Sequence, residues 1–201
     1  SGQFKMIHEN SAYKKLRLRD LMKNHRDRIN VNMYRSCCLA IKEKCESLRE
    51  WKDARVVHIY VSSLNNEVDT LGLIIDMLIQ GKKVIVPKCL PGKRNMAGIR
   101  IHSLDDLKPS KYGIMEPEYN SEYEVRPDQL DIIIVPLLAF DRHGGRIGFG
   151  GGYYDTLFDQ CSCPRIGLAY SFQEVEKIPS EAHDRTLTIV ITENEIIRMQ
   201  H

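Results

Sequence analysis

The chain has 201 residues, 42% hydrophobic and 28% charged, with 29 basic and 27 acidic side chains. That size and balance fit one globular domain, and a net charge of +2 supplies no global field for nucleic acid. No apolar run approaches the ~20 residues of a membrane helix, and the polar N-terminus does not read as a signal peptide.

Ser1-Gly2 is read as the remnant of a removed tag, residues 1–10 as a flexible N-terminus, and 11–201 as a single domain. Six cysteines show no disulfide framework spacing, and a chain of this length needs no staples. Free thiols in a reducing cytoplasm are expected. Cys161 and Cys163 are too closely spaced for a standard zinc knuckle, and no second pair matches them.

From Ser11 to about Arg28 the sequence is strongly basic, with a partial helical stripe at Leu16, Leu18, Leu21 and Met22. Lys15 and Arg19 lie four apart, so they share a helix face. That face is either simply solvated or delivers cations to a polyphosphate. A second helix is predicted over Val31 to Glu50, with Met33, Cys37, Cys38, Ile41 and Cys45 towards the core and Trp51 as a packing anchor. Val56 to Val61 reads as a buried strand, in which His58 is a core histidine rather than a ligand. The turn after it leads to Glu67 and Asp69, at the carboxyl end of a strand where open parallel sheets bind ligands. Glu67 serves equally well as a cap for the next helix.

That helix, Thr70 to Gln80, carries Leu71, Ile74, Ile75, Leu78 and Ile79 and stops at Gly81. Lys83 to Pro87 is a second strand, 88–98 a loop rich in Lys, Pro and Gly, and Ile99 to Ile101 a short edge strand. Ser103 to Leu107 reads as a capped turn, Tyr112 to Pro117 as a loop, and 118–130 as irregular. Arg165 to Tyr170 and Leu187 to Thr192 are further strands, and Glu193 to Met199 is a mostly polar tail. Alternating strands and helices predict an α/β class, a three-layer α/β/α sandwich with a mainly parallel sheet.

The most informative stretch is Asp131 to Asp155. A continuous apolar run, Ile132 to Leu138, predicts a strand buried on both faces. It ends in a polar turn carrying Asp141, His143 and Arg146. Gly148, Gly150, Gly151 and Gly152 then precede Tyr153, Tyr154, Asp155 and a helix start. Glycines let backbone N–H groups approach a phosphate, and a helix N-terminus favours negative charge. Arg146 adds a forked donor suited to phosphate, and Asp155 suits a cation such as Mg²⁺. The spacing is neither the dinucleotide fingerprint nor a P-loop.

These residues are similar to the 5-formyltetrahydrofolate cyclo-ligase family over roughly Lys15 to Thr192. VPLLAFDRHGGRIGFGGGYYD resembles the family's strand followed by F-D-x-x-G-x-R-[LI]-G-x-G-x-G-Y-Y-D. Lys15-x-x-Leu18-Arg19, Glu67-Val68-Asp69-Thr70, Gly113-Ile114-Met115-Glu116-Pro117 and His183-Asp184 follow the family's weaker elements in order. The resemblance implies a fold shared with sugar-phosphate isomerases and CoA-transferases. It also implies ATP- and Mg²⁺-dependent conversion of 5-formyltetrahydrofolate to 5,10-methenyltetrahydrofolate through a phosphorylated formyl (imino-phosphate) intermediate, with release of ADP and phosphate.

By the same resemblance, Lys15, Arg19, Arg146, Gly148, Phe149, Gly150, Gly151, Gly152, Tyr153 and Tyr154 bind the nucleotide. Val61, Glu67, Tyr112, Gly148 and Tyr153 bind the folate, expected to be polyglutamylated. Arg146, Tyr153, Tyr154 and Glu67 carry the chemistry, and Asp155 with Asp184 holds the metal. A cytoplasmic monomer without nucleic-acid or membrane partners is expected; the alternative is a non-catalytic nucleotide- or RNA-binding module of the same fold. The sequence departs from the family at Phe149, where many members carry Arg, Lys or Tyr, and at Thr156, where many carry Arg.

Overall fold

The computed structural model describes residues 2–63, 65–92, 94–111, 113–179 and 185–200, with side chains from residue 11 onward. Helix α1 (Gly2–Asp27) begins before Ser11, where the basic segment starts. Asn30 caps α2 (Val31–Ser47), its side-chain oxygen accepting from the Met33 N–H, which satisfies one orphan donor of the first turn. Leu48 is extended and separates α2 from α3 (Arg49–Asp53), so the single helix expected to Glu50 is two. Cys37, Cys38, Ile41 and Cys45 point inward as expected, whereas Met33 faces solvent.

The strands are β1 (Val56–Ile59), β2 (Lys83–Cys89), β3 (Met96–Ile101), β4 (Leu107–Pro109), β5 (Met115–Pro117), β6 (Ile132–Val135), β7 (Ala139–Phe140), β8 (Arg146–Ile147), β9 (Arg165–Leu168), β10 (Ile189–Ile191) and β11 (Ile196–Arg198). Helices α4 (Leu71–Ile79) and α5 (Tyr153–Phe158) complete the set. The main sheet runs β11-β10-β9-β6-β1-β2-β3. Its five inner strands are parallel, and β3 and β11 pair antiparallel at the edges. The expected α/β sandwich with a mainly parallel sheet is therefore present.

The two faces of the sheet are filled unequally. Alternation in β1 sends Val57 and Ile59 to one face, where they meet Ile41 and Cys45 of α2 and Leu73, Ile74 and Met77 of α4. The other face, with Ile85, Ile133 and Val190, is covered by Leu157 and Phe158 of the short α5 and by Phe140. His58 lies on this face, 1% exposed, its ring edge-on to Tyr154 at 6.2 Å between centroids. It is a core histidine, but neither ring nitrogen has a hydrogen-bond partner among the described residues.

Five expectations need correction. The apolar run Ile132 to Leu138 is not one strand: β6 stops at Val135 because Pro136 has no N–H for the ladder, and Leu138 N then donates to Ile147 O at 2.8 Å beside the β7–β8 hairpin. The segment 88–98 is largely a β2–β3 hairpin, in register from Val84↔Ile101 to Cys89↔Met96, and the loop Tyr112 to Pro117 contains β5, paired with β4. Ile196 to Arg198 forms edge strand β11, with Ile197 and Met199 turned inward. In α4, Leu71, Ile75 and Ile79 face out and Leu73, Ile74 and Met77 face in. A helix that is apolar all round offers periodicity no face to choose.

The sheet order fixes where a ligand can sit. After β1 the chain crosses to β2 on one side; after β6 it crosses to β9 on the other. The carboxyl ends of β1 and β6 thus part at a topological switch point, and this opens a crevice. Glu67 follows β1, and the glycine-rich turn follows β6.

Candidate active site

A single pocket of ≈ 1230 Å³ occupies that crevice, larger than the ~300–1,000 Å³ usual for one small ligand. It gathers Lys15 and Arg19 from α1, Val61 and Glu67 from the segment after β1, and Arg146, Gly148, Phe149, Gly150, Gly151, Gly152, Tyr153, Tyr154 and Asp155 from the turn. The expected residues from three distant segments therefore share one wall system. Tyr112, His183 and Asp184 lie outside the described residues.

The turn is built from Asp141 outward. Buried at the mouth of the β7–β8 hairpin, its carboxylate accepts from His143 N and Gly145 N, both at 2.9 Å, and from Ile178 N at 2.8 Å. Three backbone donors on one carboxylate fix the hairpin and aim β8 at the pocket. Arg146, its side chain 9% exposed, reaches Asp155 at 3.6 Å and lies over the rings of Tyr154 at 5.4 Å and Phe158 at 5.5 Å. The guanidinium is oriented by aromatic faces. A Cβ on Gly148 would sit 2.7 Å from Arg146 Nη2, so any larger residue there would push the guanidinium from this position. Gly152, with φ 71°, is the left-handed residue from which α5 starts.

Arg19 closes the turn from the opposite side, Nε donating to Gly148 O at 2.9 Å. Phe149, 51% exposed, lies beneath α1 with Lys23 and Arg26 each 5.9 Å from its ring centroid. The departure at 149 is thus an aromatic seat for two cations of the first helix. Arg26 is buried, and its Nε has no partner among the described residues.

Glu67 lies across the crevice, buried, accepting from Ser63 N at 2.8 Å and Ser63 Oγ at 2.9 Å. Its loop turns through Asn65 and Asn66, both left-handed, a conformation asparagine tolerates. The Asn66 amide donates to Arg26 O and Ile29 O, and Tyr170 Oη donates to Asn66 O at 2.6 Å. These bonds position Glu67 as a pocket carboxylate; it does not cap α4. Burial, with Glu67 nearby, holds the Tyr60 phenol well above its ordinary range. Burial likewise raises that of Tyr154, against the opposing pull of Arg146. Both stay protonated as hydrogen-bond donors at neutral pH.

Other walls were not foreseen from the residues. Pro87, Leu90 and Met96 of the β2–β3 hairpin and Met115 of β5 supply an apolar side, and Lys88 ties the two hairpins through Glu116 at 2.6 Å. Lys177 and Arg185 arrive from late loops. These side chains meet only through long-range pairing, which leaves no local signal; only the triple use of Asp141 has one, in the turn-forming Asp-Arg-His-Gly-Gly. Asp155 is 52% exposed, and among the described residues no group of three His, Cys, Asp or Glu side chains could hold a metal.

Sheet order, switch-point crevice and glycine-rich turn define an α/β enzyme whose pocket opens at the carboxyl ends of its strands. Residues 11–193 match the 5-formyltetrahydrofolate cyclo-ligase family, and the chain belongs to that family. It is 33% identical over 149 residues to the 5-formyltetrahydrofolate cyclo-ligase of Haemophilus influenzae, covering 72% of this chain and 79% of that protein. A probable 5-formyltetrahydrofolate cyclo-ligase of Caenorhabditis elegans is 32% identical over 203 residues, covering 93% and 97%. The solved 5,10-methenyltetrahydrofolate synthetase of Aquifex aeolicus superposes with a TM-score of 0.81 at 33% identity, covering 93% of each chain.

Proposed function

We propose that this protein converts 5-formyltetrahydrofolate to 5,10-methenyltetrahydrofolate at the expense of ATP, releasing ADP and phosphate. One observation carries the reading: a single large crevice holds two guanidinium groups around a glycine-rich turn and a buried carboxylate on the neighbouring strand end. That division suits two ligands, a polyphosphate on the turn and a folate against Glu67 and the apolar hairpins.

In this reading Lys15, Arg19 and Arg146 neutralise the nucleotide phosphates, and the backbone of residues 148–152 supplies oriented dipoles. Phosphoryl transfer to the formyl oxygen needs positioning and charge stabilisation more than a covalent nucleophile. Tyr153 and Tyr154 donate towards the formyl or phosphoryl oxygens. Val61 walls the folate. Glu67, already fixed by two donors, orients the N5/N10 region and takes the N10 proton as the ring closes. Magnesium, when bound, would add charge neutralisation to this half of the pocket. The accessible carboxylate of Asp155 beside Arg146 is a hard oxygen donor fit to hold it; the second carboxylate that the resemblance implies, Asp184, lies outside the described residues. A reducing compartment such as the cytoplasm and a monomeric state belong to the same reading, since the described pocket residues all come from one chain.

The test is spectroscopic. Methenylfolate absorbance rises when the protein meets 5-formyltetrahydrofolate, and the rise requires both ATP and Mg²⁺. No rise at micromolar protein, together with RNA binding that weakens steeply with salt, would replace this reading by that of a non-catalytic binding module.

A further inference from the structure

Two thiols lie outside the pocket chemistry. Cys161 and Cys163 follow α5, and the Cys163 thiol donates to Cys161 Sγ at 3.7 Å. Both are partly accessible, whereas Cys37, Cys38 and Cys45 are buried. Cys89 is exposed on β2, and no sulfur partner is found for it among the described residues. The short segment that carries the pair is held from one side: Arg165 donates to Phe158 O at 3.2 Å, to Cys161 O at 3.4 Å and to Thr186 O at 3.1 Å, with its guanidinium 4.8 Å over the Phe158 ring. The two sulfurs are therefore gathered on an anchored backbone, with a positive charge beside them.

From this geometry we propose that Cys161 and Cys163 form a thiol–disulfide exchange site whose co-reactant is a small-molecule disulfide. The hydrogen bond from Cys163 and the charge of Arg165 hold the Cys161 thiol below its ordinary range, against burial, while donating that hydrogen bond and burial raise Cys163. The roles therefore differ. Cys161, as the thiolate, attacks one sulfur of the small disulfide; that S–S bond breaks and one small thiolate leaves. Cys163 then loses its proton to solvent and attacks Cys161 Sγ, expelling the second thiolate. Two protein thiols become one disulfide, and one small disulfide becomes two thiols. Residues two apart lie within about 5–7 Å at Cα, the span a disulfide bridges. The pair follows the same short helix that presents Tyr153 and Tyr154 to the pocket, so ring closure tightens the chain directly behind that wall.

The experiment incubates the full chain with oxidised glutathione, blocks remaining thiols with N-ethylmaleimide and maps tryptic peptides by mass. The peptide 147–165 contains both cysteines and no others. The expected wild-type product is that peptide lighter by two hydrogens, free of glutathione and maleimide. Cys163→Ser should trap one glutathione on Cys161, and Cys161→Ser should slow labelling of Cys163 by roughly tenfold or more. The proposal is overturned if the wild-type peptide carries two maleimides, a stable glutathione adduct, or a link to a second chain. Equal labelling rates in the two variants would overturn the assigned roles. The wild-type arm needs no substitution, so the outcome does not depend on how either variant folds.

Discussion

Acidification should strike this fold first at His58. Its imidazole is buried on the α5 face of the sheet, and burial lowers its pKa from 6.5 to about 4. Between those values the unfolded chain takes up a proton that the folded chain refuses, so stability falls as pH falls through 6.5 and the penalty is complete below about 4. At about 1.4 kcal/mol per pH unit the full loss is about 3.5 kcal/mol, of which about 2 kcal/mol has accrued by pH 5. Against a typical total of ~5–15 kcal/mol, that is a large share. His58→Leu removes the proton site at similar volume and leaves the β1 backbone pairing intact. It also removes two ring nitrogens that have no hydrogen-bond partner among the described residues, so near pH 8 the variant should be at least as stable as the parent. Urea unfolding followed by circular dichroism at pH 8, 6 and 5 measures the difference. The parent should lose about 2 kcal/mol more than the variant between pH 8 and pH 5. Parallel pH dependences in the two proteins would refute the argument, since every other titrating group is common to both.

The remaining predictions concern the pocket. Arg146→Ala should lower kcat/KM by roughly 10²–10³-fold with little change in Tm; near-normal turnover in the methenylfolate assay would remove Arg146 from the chemistry. Glu67→Gln keeps shape and loses the base. It should depress kcat more than KM, and an unchanged kcat would return Glu67 to a purely positioning role. Asp141→Ala leaves three backbone N–H groups without their shared acceptor and should cost about 2–4 kcal/mol in urea unfolding. A loss below about 0.5 kcal/mol would mean the hairpin does not depend on it.

Much of this site was readable because its signals are local. Four glycines between Arg146 and Asp155 mark a tight turn open to a ligand by local signals alone, and Glu67 could be placed at a strand end from the buried run before it. The residues that remained hidden are those whose meaning depends on a distant partner. Pro87 and Met96 belong to a segment that looks like a loop until the β2–β3 register is known. Ile196 to Arg198 is too short a pattern to distinguish an edge strand from a tail. Pro136 breaks a run that hydrophobicity alone makes continuous. In α4 the buried face could not be chosen, because apolar residues occupy every side. Phe149 looked like a missing cation; its partners Lys23 and Arg26 lie more than a hundred residues earlier in the chain.

That aromatic seat has an electrostatic consequence. A carboxylate would have held Lys23 and Arg26 by cancelling their charge. A ring holds a cation through its quadrupole and cancels none of it. The first helix is thus pinned to the turn while its positive potential still reaches into solvent. A polyanion approaching the crevice meets a field rather than a neutral lip, so its capture should quicken as ionic strength falls and the Debye length grows. What the chain lacks as a charge at position 149 it keeps on the first helix, where exposed Lys23 can draw a ligand in before any contact is made.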